Sequence, residues 1–347
     1  MKKAFSFLTN IGRTKNYMHE RLRYLTFKRF VNLLKVEWAL FRGKPVVHAY
    51  PYEVVIDSTN ICQLRCPLCS TGGRISSRKR GHMEFDTFKR IMDEVGPHAL
   101  HIYLHNWGES LLHKEINSFI RYAKNHKVAV SVSTNLSFSL SQDMVDELIT
   151  SGLDTLVVSV DGVSRETYAK YRIGGNFELV MSNLNLLVER KRALCRKRPF
   201  LEWQFLRMKH NIHETNRAKE IAKKIGVDNI AFGVVLLPFG INHKELAASW
   251  VPEDEMKTRI RYDLIERDMG RHCWWLWRAV VFNWDGTVSP CCYVDEESAI
   301  FGDISKGSFK DIWNNQVYAS ARKLFSGYMN AGNIVCNRCG MVKTGKV

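Results

Sequence analysis

From residue 54 to 236 the chain alternates short β-branched runs with stretches whose apolar residues recur every three or four positions. The short runs predict strands at Val54–Thr59, Leu100–His105, Val128–Asn135, Thr155–Asp161, Leu201–Lys209 and Asn229–Leu236. The helical spacing falls near 84–95, 112–125, 141–151, 176–195 and 213–225. Such βα alternation implies a parallel sheet with crossover helices on its outer face. Six strands without a seventh or eighth predict an α/β fold, a partial (βα)6 TIM-like barrel rather than a closed one. Chemistry in such sheets sits at the C-terminal ends of the strands.

The pattern changes on either side. Residues 237–272 are polar, with Pro238, Gly240 and Pro252, and read as a linker with a helix; 273–347 read as a small C-terminal module of aromatic strands and cysteines. Within 1–50, Phe27, Val31, Leu34, Trp38 and Phe41 lie on one face of a helix, with Lys28, Arg29, Lys35 and Arg42 between them. The ordinary expectation is that this apolar face packs on the core and the basic side is solvated. A basic amphipathic helix on an anionic membrane surface or an acidic partner is the alternative.

Charge sharpens that alternative. The net charge is +16, and residues 1–44 carry eleven Lys or Arg against Glu20 and Glu37. A second basic group, Arg190 to Arg198, reads as a solvated helix end, and a nucleic-acid partner is not expected. No apolar run is long enough for a membrane span, and the start has no cleavage pattern for a signal peptide. Thiolate clusters need reducing surroundings, so a cytoplasmic location is expected, peripheral to the membrane if residues 1–44 dock there.

Seven of the nine cysteines carry the chemistry. Cys62, Cys66 and Cys69 follow the first strand as C-x3-C-x2-C, and no further cysteine occurs until Cys195. Three thiolates can hold three corners of a cubane cluster and leave one iron open. Zinc with His82 as fourth ligand is the competing reading. Near the other end come Cys273, Gly286, Cys291 and the pair Cys336 and Cys339. Four thiolates suffice for one further cluster, or for a structural zinc ion. Cys292 could replace Cys291.

A C-x3-C-x2-C loop after the first strand of a six-fold βα array resembles the radical S-adenosylmethionine (radical SAM) superfamily. That resemblance implies a 4Fe–4S cluster whose open iron binds SAM, and reductive cleavage of SAM to a 5′-deoxyadenosyl radical that abstracts hydrogen from a substrate carbon. The later strand ends agree. Asn106–Trp107–Gly108–Glu109 is similar to the family's Gly-Gly-Glu-Pro motif, with Trp107 and Ser110 in place of Gly and Pro, so Gly108 and Glu109 carry over as contacts to the SAM amino group. Ser133 with Asn135, then Ser159 with Asp161, resemble SAM-side and ribose-binding strand ends; Arg172 resembles the contact to the SAM carboxylate. The C-terminal spacing resembles SPASM and "twitch" modules, which implies a second, auxiliary 4Fe–4S cluster on Cys273, Cys291, Cys336 and Cys339.

The expected function is hydrogen abstraction for oxidation or epimerisation of a sugar, cyclitol or lipid-linked glycan. Modification of a ribosomal peptide is one alternative, and a non-catalytic iron–sulfur electron carrier is the alternative from another class. Cys195 and Cys292 are the candidate hydrogen donors. The expected partners are a small-molecule or glycan substrate, an external one-electron reductant such as flavodoxin or ferredoxin, and a membrane surface for residues 1–44.

Overall fold

A computed structural model describes residues 11–239, 243–253, 273–327 and 332–339. The first ten residues and 254–272, most of the expected linker, lie outside them.

Six strands, β1 (Glu53–Ile56), β2 (His101–Tyr103), β3 (Ala129–Thr134), β4 (Thr155–Ser159), β5 (Phe200–Arg207) and β6 (Asn229–Val234), pair in parallel and in chain order. Between them run helices α3 (Phe85–Val95), α4 (Ile116–Asn125), α5 (Gln142–Thr150), α6 (Arg165–Tyr171), α7 (Phe177–Ala193) and α8 (Thr215–Ile225), with α1 (Ile11–Arg23) and α2 (Phe27–Phe41) ahead of β1. The expected partial barrel is therefore present, its strands one to three residues shorter at most ends than the β-branched runs. Alternation explains the layering. Val54, Ile102, Val130, Leu156, Leu201 and Trp203 point outward into the main core beneath the helices. The other face is polar and lines the bore, with Glu53, His101, Tyr103, Ser131, Thr155, Glu202 and Gln204 in register.

That polar bore is closed from below by α1. Arg13 donates to Glu202 at 2.7 Å and to Gln204 at 3.0 Å, Asn16 to Thr155 at 2.8 Å, and Tyr17 to Glu53 at 2.8 Å. Glu20, 1% exposed, accepts from Thr155 and Arg198. Two of the basic residues near the start, Arg13 and Arg21, are thus paired with Glu202 and Glu53 of the bore.

Helix α2 corrects the ordinary expectation for its apolar face. The buried side carries Arg29, Asn32, Val36 and Ala39, while Phe27, Phe30, Leu34, Trp38 and Phe41 are exposed. Arg29 decides the orientation. Its guanidinium donates to the carbonyls of Gly96, His126 and Lys127, where α3 and α4 end and carbonyls lack helical partners. Asn32 exchanges two hydrogen bonds with the Tyr50 backbone, at 2.8 and 2.9 Å.

The C-terminal segment continues the sheet. After α10 (Trp275–Arg278), strand β7 (Ala279–Phe282) pairs in parallel with β1, and β8 (Thr287–Ser289) and β9 (Gly302–Asp303) follow antiparallel. Helices α11 (Phe309–Trp313) and α12 (Gln316–Phe325) complete it. Buried Arg322 ties it to the N-terminal segment, donating to Leu276 O at 2.8 Å and Pro45 O at 3.0 Å while lying 4.3 Å over the Trp313 ring. Among the described residues, no helix is long and apolar enough to cross a membrane.

Candidate active site

The triplet Cys62, Cys66 and Cys69 lies in the loop after β1, as the strand-end rule requires. It sits in a small core of its own: Leu64, Leu68, Tyr171, Met208, Val235 and Leu237 surround Cys66. Helix α9 (His243–Trp250), from the expected linker, adds Ala247 and, just beyond it, Val251. Lys209 N–H anchors that segment to Trp250 O at 2.8 Å. Nothing in the polar sequence 237–253 announced this role; the apolar set Leu246, Ala247, Trp250 and Val251 at helical spacing was the available signal.

Each later strand end is tied to the cysteine loop. Glu109 N–H donates to Ile61 O at 2.9 Å. Gly108 packs so closely there that a Cβ would come within 1.9 Å of Thr59 O, so only glycine fits. The Glu109 carboxylate is 2% exposed and accepts from Asn135 N at 2.6 Å and Leu111 N at 3.2 Å. Burial pushes its pKa up to about 7, against the pull of those donors. Asn135 in turn holds Gln63 (2.9 Å) and approaches Cys62 Sγ at 3.7 Å. Gln63 was not foreseen, because a lone Gln inside a cysteine loop has no distinguishing pattern.

Asp161 and Arg172 form a buried pair. Arg172 Nε and its terminal nitrogen both reach Asp161 Oδ2 at 2.6 Å, and Leu206 N–H occupies Oδ1 at 2.6 Å. The other guanidinium nitrogen stands 3.9 Å from Cys66 Sγ. Burial raises the Cys66 thiol to about 11 despite this cation. Ser159 is buried and Ser133 half-buried on the same rim. Asp57, fully buried at the end of β1 and accepting from Trp107 N at 3.3 Å, was missed; burial pushes it up to about 8. An Asp closing an otherwise apolar strand was its signal.

The C-terminal cysteines divide clearly. Burial raises the Cys336 and Cys273 thiols, and the neighbouring Cys291 and Cys339 add to that rise in both. Burial also raises the Cys292 thiol, and Cys291 is the one cysteine that adds to it. Cys292 instead lines a cavity of about 400 Å³ whose walls include Tyr17, Arg21, Glu53, Tyr103, His105 and Trp275. Cys195 does not reach it. It is exposed on the connection from α7 to β5, at the N-terminal ends of the strands and opposite the cysteine loop.

Among the described residues, no three His, Cys, Asp or Glu side chains converge tightly enough to chelate a single metal ion. Within each cysteine group the thiols are nonetheless close enough to act electrostatically on one another. All-sulfur donor sets of this kind can hold iron–sulfur clusters.

Residues 56–195 match the radical SAM superfamily, and residues 273–340 match SPASM, an iron–sulfur cluster-binding domain. A radical SAM domain binds SAM and a 4Fe–4S cluster, and SPASM domains bind auxiliary iron–sulfur clusters. The chain is 24% identical over 300 residues to the AdoMet-dependent heme synthase of Methanosarcina barkeri, covering 76% of this chain and 82% of that one. It is 23% identical over 334 residues to the tungsten-containing aldehyde ferredoxin oxidoreductase cofactor-modifying protein of Pyrococcus furiosus, covering 83% and 89%. Streptococcus suis SuiB bound to its precursor peptide SuiA has the same fold, at 13% identity and TM-score 0.62, over 90% of this chain and 74% of that one.

Proposed function

We propose that this chain, a radical SAM enzyme with a C-terminal SPASM domain, abstracts hydrogen from a carbon of a hydroxylated small molecule or glycan held in the cavity beside Cys292. The observation that carries the reading is the convergence of Glu109, Asn135, Asp161 and Arg172 on the loop of Cys62, Cys66 and Cys69. When bound, that cluster supplies the electron that cleaves SAM to the 5′-deoxyadenosyl radical.

The residues divide the work. Cys62, Cys66 and Cys69 hold three irons. Glu109, ionised, accepts an N–H from the SAM amino group, and Gly108 leaves room for the loop to close on it. Arg172, held by Asp161, presents its remaining nitrogen toward the cysteine loop, where it pairs with the SAM carboxylate. Ser133 and Ser159 offer hydroxyls to the adenosyl part. Cys273, Cys291, Cys336 and Cys339 fill all four corners of the auxiliary cluster. A one-electron reductant such as flavodoxin or ferredoxin serves from outside.

The cavity favours a sugar-sized substrate over a peptide. About 400 Å³ is near the small end of ligand pockets, and its walls mix the aromatic faces of Trp274 and Trp275 with the polar groups of Arg21, Glu53, His105 and Asn106. Epimerisation is the outcome that Cys292 favours. Its thiol stays protonated, with burial pushing it up to about 12, so an S–H bond faces the substrate space. Transfer of that hydrogen atom to a substrate radical would leave a thiyl, restored by one electron from the reductant and one proton. Oxidation is the outcome when Cys292 takes no part.

Anaerobically reconstituted, dithionite-reduced protein should release 5′-deoxyadenosine from SAM, and Cys66→Ala should abolish the release. A wild type that cleaves no SAM under any reductant would return the chain to the electron-carrier reading, in which Glu109 and Arg172 have no task.

A further inference from the structure

We infer that the outer face of α2 docks on an anionic lipid bilayer. Phe27 is 83% exposed, Leu34 52%, Trp38 57% and Phe41 74%, with Phe30 at 42% beside them. Over fifteen residues this apolar stripe extends about 22 Å along one helix. Its exposure is built in. Arg29 and Asn32 fix the opposite side through hydrogen bonds to six backbone groups, on Tyr24, Gly96, His126, Lys127 and Tyr50, so α2 cannot roll to bury the stripe without breaking them. No described residue covers the stripe.

Charge selects the occupant. Lys28, Lys35, Arg42 and Lys44 are all exposed, and the only acid between residues 24 and 48 is Glu37. Glu37 is already engaged by Arg278 and by the Tyr52 hydroxyl at 2.6 Å. A helix with aromatics along its exposed face and cations along one flank matches an interfacial helix, whose apolar face enters the headgroup region while its cations meet lipid phosphates. A protein groove would have to supply both a long apolar trough and acidic walls. The same helix packs on α10, which contributes Trp275 and Arg278 to the cavity wall, so docking would bring the cavity close to the bilayer.

The inference is independent of the chemistry proposed above. Full-length reconstituted protein is sedimented with vesicles of pure phosphatidylcholine or of phosphatidylcholine containing phosphatidylserine. Binding should need the anionic lipid, and Lys28→Glu with Lys35→Glu should weaken it by well over tenfold, at about fivefold per cation lost and more for reversal. Trp38→Ala with Phe41→Ala should weaken it at least tenfold with an unchanged melting temperature and unchanged SAM cleavage in solution. Equal binding by wild type and both variants would overturn the inference. So would light scattering that shows a wild-type dimer dissociated by Trp38→Ala with Phe41→Ala, because a second copy would then cover the stripe.

Discussion

Removing Arg172 should expose how the site is held together. Asp161 is fully buried, and Arg172, its side chain 13% exposed, meets one carboxylate oxygen twice at 2.6 Å. The other oxygen keeps Leu206 N–H whatever happens to the arginine. In Arg172→Met the cavity stays filled but a buried carboxylate loses its counter-charge, a change that typically costs about 3–5 kcal/mol. In Asp161→Asn with Arg172→Met no charge is left to strand, so the double variant should be more stable than Arg172→Met alone by at least about 1 kcal/mol. Acid should also rescue the single variant. Arg172 pulls the Asp161 carboxyl down against burial, so its loss lets that carboxyl take up a proton at higher pH. The penalty should then shrink as pH falls, by up to about 1.4 kcal/mol per unit. Urea unfolding of the cluster-free protein under reducing conditions, read by tryptophan fluorescence at pH 6 and 8, measures all three. Additive costs, with a coupling under about 0.5 kcal/mol and no pH dependence, would refute the pair's assigned role.

Three further outcomes follow from neighbouring residues. Gly108→Ala drives a Cβ against Thr59 O and should destabilise the protein by about 1–3 kcal/mol while weakening SAM binding, both readable by thermal melts with and without SAM. Glu109 has its pKa raised from 4.5 to about 7, so its charge costs stability: its contribution is fullest below pH 4.5 and is lost as pH rises through 7. SAM, which needs the carboxylate, should bind more tightly over that same rise, and Glu109→Gln should flatten both trends in pH-dependent melts and equilibrium dialysis. Cys292→Ser should leave SAM cleavage intact yet abolish solvent deuterium incorporation into an epimerised product; full incorporation by the variant would assign the hydrogen donor elsewhere.

The barrel was legible because its strands carry apolar, often β-branched residues on their outer face and its helices repeat at 3.6. Helix α1 was not singled out because its inward face is polar: Arg13, Asn16, Tyr17, Glu20, Arg21 and Tyr24 keep the helical period, but an apolar template does not register them. Helix α2 shows the opposite failure. Its apolar period was read correctly, yet which side faces the core is decided by Arg29 meeting the ends of α3 and α4, a contact made across 67 residues or more. The cysteine loop and the strand ends were legible because spacing and order along the chain carry them. The separation of Cys291 from Cys292, and the cover supplied by α9, depend on tertiary placement that adjacent sequence positions do not encode.

The central claim is that Cys62, Cys66 and Cys69 leave one iron open to SAM. Electron–nuclear double resonance on the reduced wild type with SAM carrying ¹⁵N in its amino group tests it directly. A ¹⁵N coupling strong enough for direct iron ligation, lost in Cys66→Ala, is the predicted result. A reduced, SAM-saturated protein without that coupling would mean that the fourth corner is filled by the protein, and would contradict the account.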